Sequence, residues 1–421
     1  MIFAQGKLLP DTERKTVLDG LEAQLNAVRA GPPLEAETVI SAVDALGRRL
    51  EGGEFDDLLA RFLPAGVGLG ELLPLLRRES LEAKLAAELG PDPFAPREYA
   101  KTTAQVLPLG VLFHIAPGNM PGLPVYTALE GLLTGNVNLV KLPHGDKGLS
   151  LAAFQLLTEQ EPRLAPYLYA FDLPSGRREE LKTLSGLADG LVVWGGDGAI
   201  ASARTLAGPG CKLIEWGHRL SFAYLSGWAG LDLSGLAEHI VRTGGLLCSS
   251  CQVIYLDTEL LSAAEQFCKQ FLPILERAAA EYYKTPGQAA QGALYAREAA
   301  LEQMIDRAGS GDLNFPGRCC SLTLRRDMEL ELSRLHGNVL VKRLPRKGAL
   351  SVLRRQRGRL QTAGLLCPPS EREELAGLLA RAGVNRVTDP DRMSETLPGE
   401  AHDGEYPLRR YVRAVDLQIN F

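Results

Sequence analysis

Between residues 105 and 216 the chain alternates short apolar, β-branched runs with helical stretches. The runs fall at 106–115, 136–142, 167–173, 190–194 and 212–216. Runs of this kind, separated by helices, predict parallel βαβ units in a doubly wound sheet. In such sheets ligands gather at the carboxyl ends of the strands. Asn119, Lys141 and Gly195-Gly196 all lie at predicted strand ends. The run 106–115 reads as a single strand, and the helix after it extends to about Leu133.

The flanking regions have a different texture. Residues 11–95 read as helices, with Leu18, Leu21, Leu25 and Val28 at helical spacing and breaks at Gly31-Pro32-Pro33 and Gly52-Gly53. They form either a separate domain or a cover on the sheet. A second α/β unit begins after Cys248. Strands are expected at 252–256, 320–325, 338–344, 361–366 and 385–387, with helices at 262–283 and 297–308. The tail from 406 ends strand-like.

The second informative stretch is Gly244-Gly245-Leu246-Leu247-Cys248-Ser249-Ser250-Cys251, leading into Gln252-Val253-Ile254-Tyr255. Its glycines permit a bend or a close approach, and a thiol at such a junction can face a cleft as a nucleophile. Two plainer readings compete. One is a buried structural cysteine, the other a C-x-x-C redox or metal pair of Cys248 with Cys251. The seven cysteines are scattered and odd in number. The N-terminus lacks the layout of a signal peptide, so reduced thiols in a cytoplasmic protein are expected. Zinc is disfavoured because adjacent Cys319 and Cys320 cannot easily share one tetrahedral ion. A net charge of −5 gives no sign of a nucleic-acid or anionic-membrane partner. No window approaches the ~18 apolar residues of a membrane span.

Each site candidate has a bland alternative. Asn119, in a Pro-Gly-Asn-Met-Pro loop, can donate to a developing oxyanion, or can simply form the turn. Lys141 can meet a ribose or phosphate, or be an edge lysine. Gly195-Gly196-Asp197-Gly198 opens a helix and can approach a dinucleotide phosphate, although it is not the G-x-G-x-x-G fingerprint. Glu215 is either a base with a raised pKa or a satisfied ion pair.

Taken in order, these residues resemble the aldehyde dehydrogenase superfamily, and within it the LuxC-like acyl-CoA reductase (fatty-acid reductase) family. The carrying segments are Gly110 to Asn119, Gly135 to Lys141, Val193-Trp194-Gly195-Gly196, Glu215-Trp216-Gly217 and Cys248-Ser249-Ser250. The tail adds Gln361-Thr362-Ala363-Gly364, His402-Asp403-Gly404 and Arg409-Arg410-Tyr411-Val412-Arg413. The Cys-Ser-Ser and His-Asp-Gly elements are specific to that family; the rest are superfamily-wide.

The resemblance implies an aldehyde-dehydrogenase-like α/β fold. A helical region, 1–95, would pack on a Rossmann-like NADP-binding domain, 96–243. A catalytic domain, 244–390, would follow, with a tail, 391–421, returning to the cofactor domain. It makes Cys248 the nucleophile, Asn119 the oxyanion donor and Glu215 the general base. Ile115, Ala116, Pro117, Lys141, His144, Trp194, Gly195, Gly196, Trp216 and Gly217 fall at cofactor-binding positions. NAD-preferring relatives carry a Glu three residues after the lysine. His144 stands there instead and would not repel a 2′-phosphate, which favours NADPH.

The implied reaction reduces an acyl thioester (acyl-CoA or acyl-protein) to an aldehyde through an acyl-cysteine. An acid-forming aldehyde dehydrogenase and a non-catalytic redox-sensing homologue are the alternatives. The sequence departs from the family where Cys251 replaces a proline. It departs again where Ser333-Arg334, before Leu335-His336-Gly337-Asn338, replaces the superfamily's ribose-holding Glu. The superfamily's pairing hairpin would lie near 97–108 with little room, so a homodimer at most, paired through the tail strand, is expected.

Overall fold

The computed structural model describes residues 1–63, 69, 70, 72–99, 102–116, 118, 120–283, 286–305, 309 and 311–418. Asn119 and Pro117, two of the expected site residues, lie outside these, as do the last three residues of the helix expected at 297–308. The chain divides into two compact units, Met1–Gly217 with Thr396–Phe421, and His218–Glu395. The expected boundaries were 243/244 and 390/391. The first boundary differs because the segment after Gly217 supplies a strand and a helix to the second unit.

The first unit opens with β1 (Ile2–Ala4) and β2 (Lys7–Leu9), a hairpin absent from the sequence reading. Helices α1 (Arg14–Ala30), α2 (Ala36–Glu51), α3 (Asp56–Leu59) and α4 (Arg78–Leu89) follow. The expected strand 106–115 is two strands in different sheets. β3 (Arg97–Tyr99) and β4 (Thr102–Pro108) form a short antiparallel pair, and the chain then turns at Gly110 into β5 (Val111–Ile115). Gly110 has φ +140°, and a Cβ there would sit 2.0 Å from Asp189 Oδ2. That carboxylate accepts the Val111 amide at 2.8 Å. Only glycine tolerates both the dihedral and the contact. The tail strand Val412–Leu417 pairs antiparallel with β4 of its own chain.

Helix α5 (Leu123–Leu133), β6 (Val137–Lys141), α6 (Leu149–Gln160), β7 (Leu168–Phe171), α7 (Arg178–Gly186), β8 (Gly190–Trp194), α8 (Asp197–Leu206) and β9 (Lys212–Trp216) complete the unit. The sheet order is β2-β1-β7-β6-β5-β8-β9, with the five strands β5 to β9 parallel as expected and β1 antiparallel on β7. Alternation along the strands feeds two cores. Val111, Phe113, Tyr169 and Phe171 face Leu21 and Leu25 of α1. Leu112, Leu168 and Ala170 face α2, α5 and α6 through Val39, Val43, Leu129 and Phe154. The N-terminal helices are therefore part of this unit and cover both faces of its sheet.

Two buried polar links tie the unit together. Asn136 accepts from the Gly110 amide at 2.8 Å and donates to the Tyr411 carbonyl at 2.9 Å, fixing the tail to the β5–β6 edge. Lys84 pairs with Glu88 at 2.6 Å and Glu130 at 2.9 Å. Glu88 also accepts the Leu408 amide at 2.7 Å.

The second unit holds β10 (Leu220–Leu225), α9 (Ser234–Thr243), β11 (Cys251–Leu256), α10 (Leu261–Tyr282), α11 (Pro286–Ile305), β12 (Leu313–Pro316), β13 (Ser321–Leu324), β14 (Asn338–Arg343), α12 (Arg346–Leu353), β15 (Leu360–Leu366), α13 (Arg372–Ala382) and β16 (Arg386–Thr388). Its sheet order is β12-β13-β14-β11-β10-β15-β16. β10 was not expected, yet it lies inside this sheet, between β11 and β15. Among the described residues no helix is long and apolar enough to cross a membrane.

Candidate active site

In the second unit the site is built where α9 ends and β11 begins. Gly244 takes φ +58° and closes α9, and Gly245, at φ +79°, continues the reversal. A Cβ on Gly245 would press on Leu335 at 3.3 Å. The turn 247–250 is self-braced: the Ser250 hydroxyl accepts the Leu247 amide at 2.9 Å, and the Leu247 carbonyl accepts the Ser250 amide at 3.0 Å. Cys248 sits on this turn and is exposed. Its carbonyl accepts from the Ser221 hydroxyl at 2.7 Å, and Ser221 in turn accepts the Thr362 amide at 3.0 Å. The Gln361 carboxamide Nε2 donates to Cys248 Sγ at 3.2 Å. A donor to sulfur favours thiolate over thiol.

Cys251 lies inside β11, 3% exposed, with its thiol pushed up to about 12 by burial. Its Sγ reaches the Val253 carbonyl at 3.5 Å. The two thiols thus occupy opposite environments, one rigid and buried, the other exposed and met by a donor. Behind the turn, buried His239 accepts the Cys251 amide on Nε2 at 3.3 Å. Burial first, and Arg242 further, push this imidazole down to about 4, so it is neutral. Ser249 and Ser394 share a hydrogen bond at 2.8 Å.

The turn at His336 packs on the same loop, its amide donating to the Gly244 carbonyl at 2.9 Å. Ser333, standing in place of the expected carboxylate, donates to Gln252 Oε1 at 2.9 Å. Arg334 is held by Glu298 at 3.3 Å and by Glu302. This turn therefore offers a cofactor no free carboxylate from Ser333-Arg334.

In the first unit the expected cofactor residues gather at the ends of β5, β6, β8 and β9. Ile115 ends β5, and the Ala116 amide donates to the Lys141 carbonyl at 3.2 Å. The Lys141 side chain is buried, and burial lowers its pKa against the opposing pull of Asp172. Among the described residues no hydrogen bond or ion pair holds its ammonium. His144 is exposed on the turn that follows.

Gly195 has φ +151°, where a Cβ would meet Ala199 at 2.9 Å; its amide donates to the Trp216 carbonyl at 3.1 Å. Gly196 caps α8, with open space where its Cβ would be, as at Gly217. Trp194 and Trp216 stack at 5.4 Å, and His402 closes on both at 5.0 and 5.1 Å. Trp216 is itself only 3% exposed, so it backs the site rather than lining it. An unheld buried cation, an open glycine helix start and an aromatic wall suit a dinucleotide's phosphate, hydroxyls and ring.

Of the two readings of Glu215, a base with a raised pKa or a satisfied ion pair, the side-chain geometry matches the second. Arg204 grips it through Nε at 2.6 Å and Nη2 at 2.8 Å, and this pairing holds its carboxyl below the usual range. Gln361, Ser221 and His239 were not expected as site residues. Gln361 stands 113 positions from Cys248, and no local spacing could join them. Its only signal was membership of the Gln-Thr-Ala-Gly segment.

Parallel α/β sheets, a cysteine turn at a strand entry and a glycine-opened helix define an aldehyde-dehydrogenase-like oxidoreductase fold. Solved structures agree at the level of fold. A 1-pyrroline-5-carboxylate dehydrogenase R100A mutant from Thermus thermophilus matches at 14% identity, 99% of this chain, 92% of that one and TM-score 0.71. A putative methylmalonate-semialdehyde dehydrogenase from Sinorhizobium meliloti 1021, complexed with NAD, matches at 14%, 99%, 96% and 0.68. Aldehyde dehydrogenase 21 from Physcomitrella patens, with succinate, matches at 14%, 97%, 90% and 0.68. No curated protein sequence matches the chain. The acyl-CoA reductase (LuxC) family matches residues 34–414, and the chain belongs to that family. It is an aldehyde-related oxidoreductase.

Proposed function

We propose that the protein reduces an acyl thioester to an aldehyde with NADPH, through an acyl-cysteine on Cys248. The observation that carries this reading is the exposed Cys248 on a braced turn, with the Gln361 carboxamide donating to its sulfur. The thiolate attacks the thioester carbonyl carbon, and Asn119 donates to the oxyanion, a stabilisation worth ~3 kcal/mol per donor in comparable sites. The C–S bond to the leaving thiolate breaks and leaves the acyl group on Cys248. NADPH, when bound, would supply the hydride that reduces the acyl carbon. The resulting thiohemiacetal releases aldehyde and regenerates the thiolate of Cys248.

Lys141 binds a hydroxyl or phosphate of the cofactor, and His144 leaves room for a 2′-phosphate. Trp194, with Gly195 and Gly196, borders the nicotinamide side. Acid formation would require Glu215 to activate water, and its pairing with Arg204 argues against that role. Intact-mass detection of an acyl adduct across a panel of acyl-CoAs, with aldehyde measured on adding NADPH, tests the proposal. An adduct on Cys248, absent from Cys248→Ala, is expected; full turnover by that variant overturns it. Fluorescence titration with NADPH and NADH tests the cofactor assignment. Equal or tighter binding of NADH would remove it.

A further inference from the structure

In a chain of net charge −5, residues 332–370 carry nine lysines and arginines and no aspartate or glutamate. The excess is concentrated in Arg354-Arg355-Gln356-Arg357-Gly358-Arg359, the link between α12 and β15. All four of these arginines are exposed. Arg219, at the entry to β10, joins them. Its guanidinium donates to the Gly358 carbonyl, and the residues that follow, Leu220 and Leu360, are register partners on neighbouring strands. Other arginines of this unit are matched by carboxylates, as Arg346 is by Asp257 and Glu371, and Arg372 by Asp389. In the patch Arg355 pairs with Glu329, but among the described residues no hydrogen bond or ion pair engages the guanidinium of Arg354 or Arg357. Like charges gathered at two adjacent strand entries repel one another, and a bound anion relieves that repulsion. Guanidinium forks match phosphate oxygens two at a time.

The patch stands on the two strands that hold the nucleophile. Arg219 is two residues before Ser221, whose hydroxyl donates to the Cys248 carbonyl. Arg359 is two residues before Gln361, whose carboxamide donates to Cys248 Sγ. At ~3.8 Å between consecutive Cα atoms, the Cα of Arg357 lies within about 15 Å of that of Gln361. A pantetheine arm has roughly four residues' worth of main-chain bonds between its sulfur and its first phosphate, and spans roughly 15 Å when extended. We infer that this arginine patch binds the phosphates of coenzyme A, so that the enzyme selects a thioester by its phosphorylated handle as well as by its carbonyl. The inference rests on the reading of the site as thioester-reducing.

The experiment compares octanoyl-CoA with octanoyl-pantetheine, which has the same thioester and arm but no nucleotide, with NADPH as reductant. The wild type is expected to favour the CoA ester in kcat/KM, chiefly through KM. That preference should shrink as NaCl is raised from about 0.05 to about 0.5 M, because salt screens exposed charges. Arg354→Gln/Arg357→Gln should lower kcat/KM for octanoyl-CoA by about 10-fold, the effect of losing two exposed ion pairs. Octanoyl-pantetheine should stay within about 2-fold, since it has no phosphate to lose. Adenosine 3′,5′-bisphosphate, the nucleotide end alone, should compete with octanoyl-CoA, with a Ki about 10-fold higher in the variant. The KM for NADPH should not change, and circular dichroism establishes that the variant is folded. A variant that lowers both thioesters alike, or neither, overturns the inference and leaves the reductase reading standing. A rise in the KM for NADPH with the bisphosphate Ki unchanged also overturns it, because the patch would then hold the reductant. Reduction of neither thioester by the wild type overturns the reductase reading itself.

Discussion

Replacing Gln361 with leucine is expected to slow alkylation of Cys248 at neutral pH, because it removes a donor to the thiolate. The carboxamide Nε2 lies 3.2 Å from the sulfur, and Gln361 is only 8% exposed. A hydrogen bond to a charged group contributes about 1.5–3 kcal/mol. Cys248 is exposed, so water recovers part of the loss and the lower end of that range applies. At ~1.36 kcal/mol per factor of ten, the expected loss of thiolate is about 10-fold. Iodoacetamide alkylation, followed by mass spectrometry of the peptide bearing Cys248 across a pH series, reads this directly. The variant should react about 10-fold more slowly at neutral pH and approach the wild-type rate at high pH. Gln361→Glu, which sets a second negative charge beside the thiolate, should shift the profile further in the same direction. A Gln361→Leu profile that superimposes on the wild type would refute the claim that this contact activates the sulfur.

Other outcomes follow from the same geometry. Cys251→Ala should keep most reductase activity, because that thiol is buried and pushed up to about 12. Loss of acyl labelling in this variant, with labelling retained in Cys248→Ala, would mean that the nucleophile has been misassigned. Lys84→Met leaves Glu88 and Glu130 facing each other in the interior, and should cost about 3–5 kcal/mol in urea unfolding; a loss below about 1 kcal/mol would show that the triad contributes little. His114 and His239 are both pushed down to about 4, chiefly by burial. Between that value and the ~6.5 of an unfolded histidine, the unfolded chain binds more protons. Stability is therefore full above about pH 6.5 and falls as pH drops towards 4, by up to about 3 kcal/mol per histidine. Unfolding midpoints measured across this range should show the decline, and His239→Gln should flatten it; an unchanged slope would mean that His239 does not remain neutral in the folded state.

The sequence by itself determined the parallel architecture of the first sheet. Apolar runs of strand length separated by helices have few other ways to bury both faces, and Val111 to Ile115 and Val137 to Lys141 pair as that pattern demands. It also determined which thiol sits at a bend, because Gly244 and Gly245 mark the backbone reversal whatever surrounds them. The break at Gly110 was not read, since Val106 to Ile115 is apolar on both sides of that glycine apart from His114. Only the Asp189 carboxylate, arriving from a distant turn, requires a residue without a side chain there. β10 was missed for a related reason: its six residues become an interior strand only through β11 and β15 on either side.

Tertiary structure likewise decided the fate of two ionisable groups that the sequence left open. Glu215 became an ion pair because α8 brings Arg204 against it. Cys248 gained its donor because β15 carries Gln361 to it across 113 positions of chain. Local pattern specifies backbone direction and burial, since both depend on neighbouring residues. Charge state and reactivity depend on which groups converge in space, and that convergence exists only once the sheets are assembled.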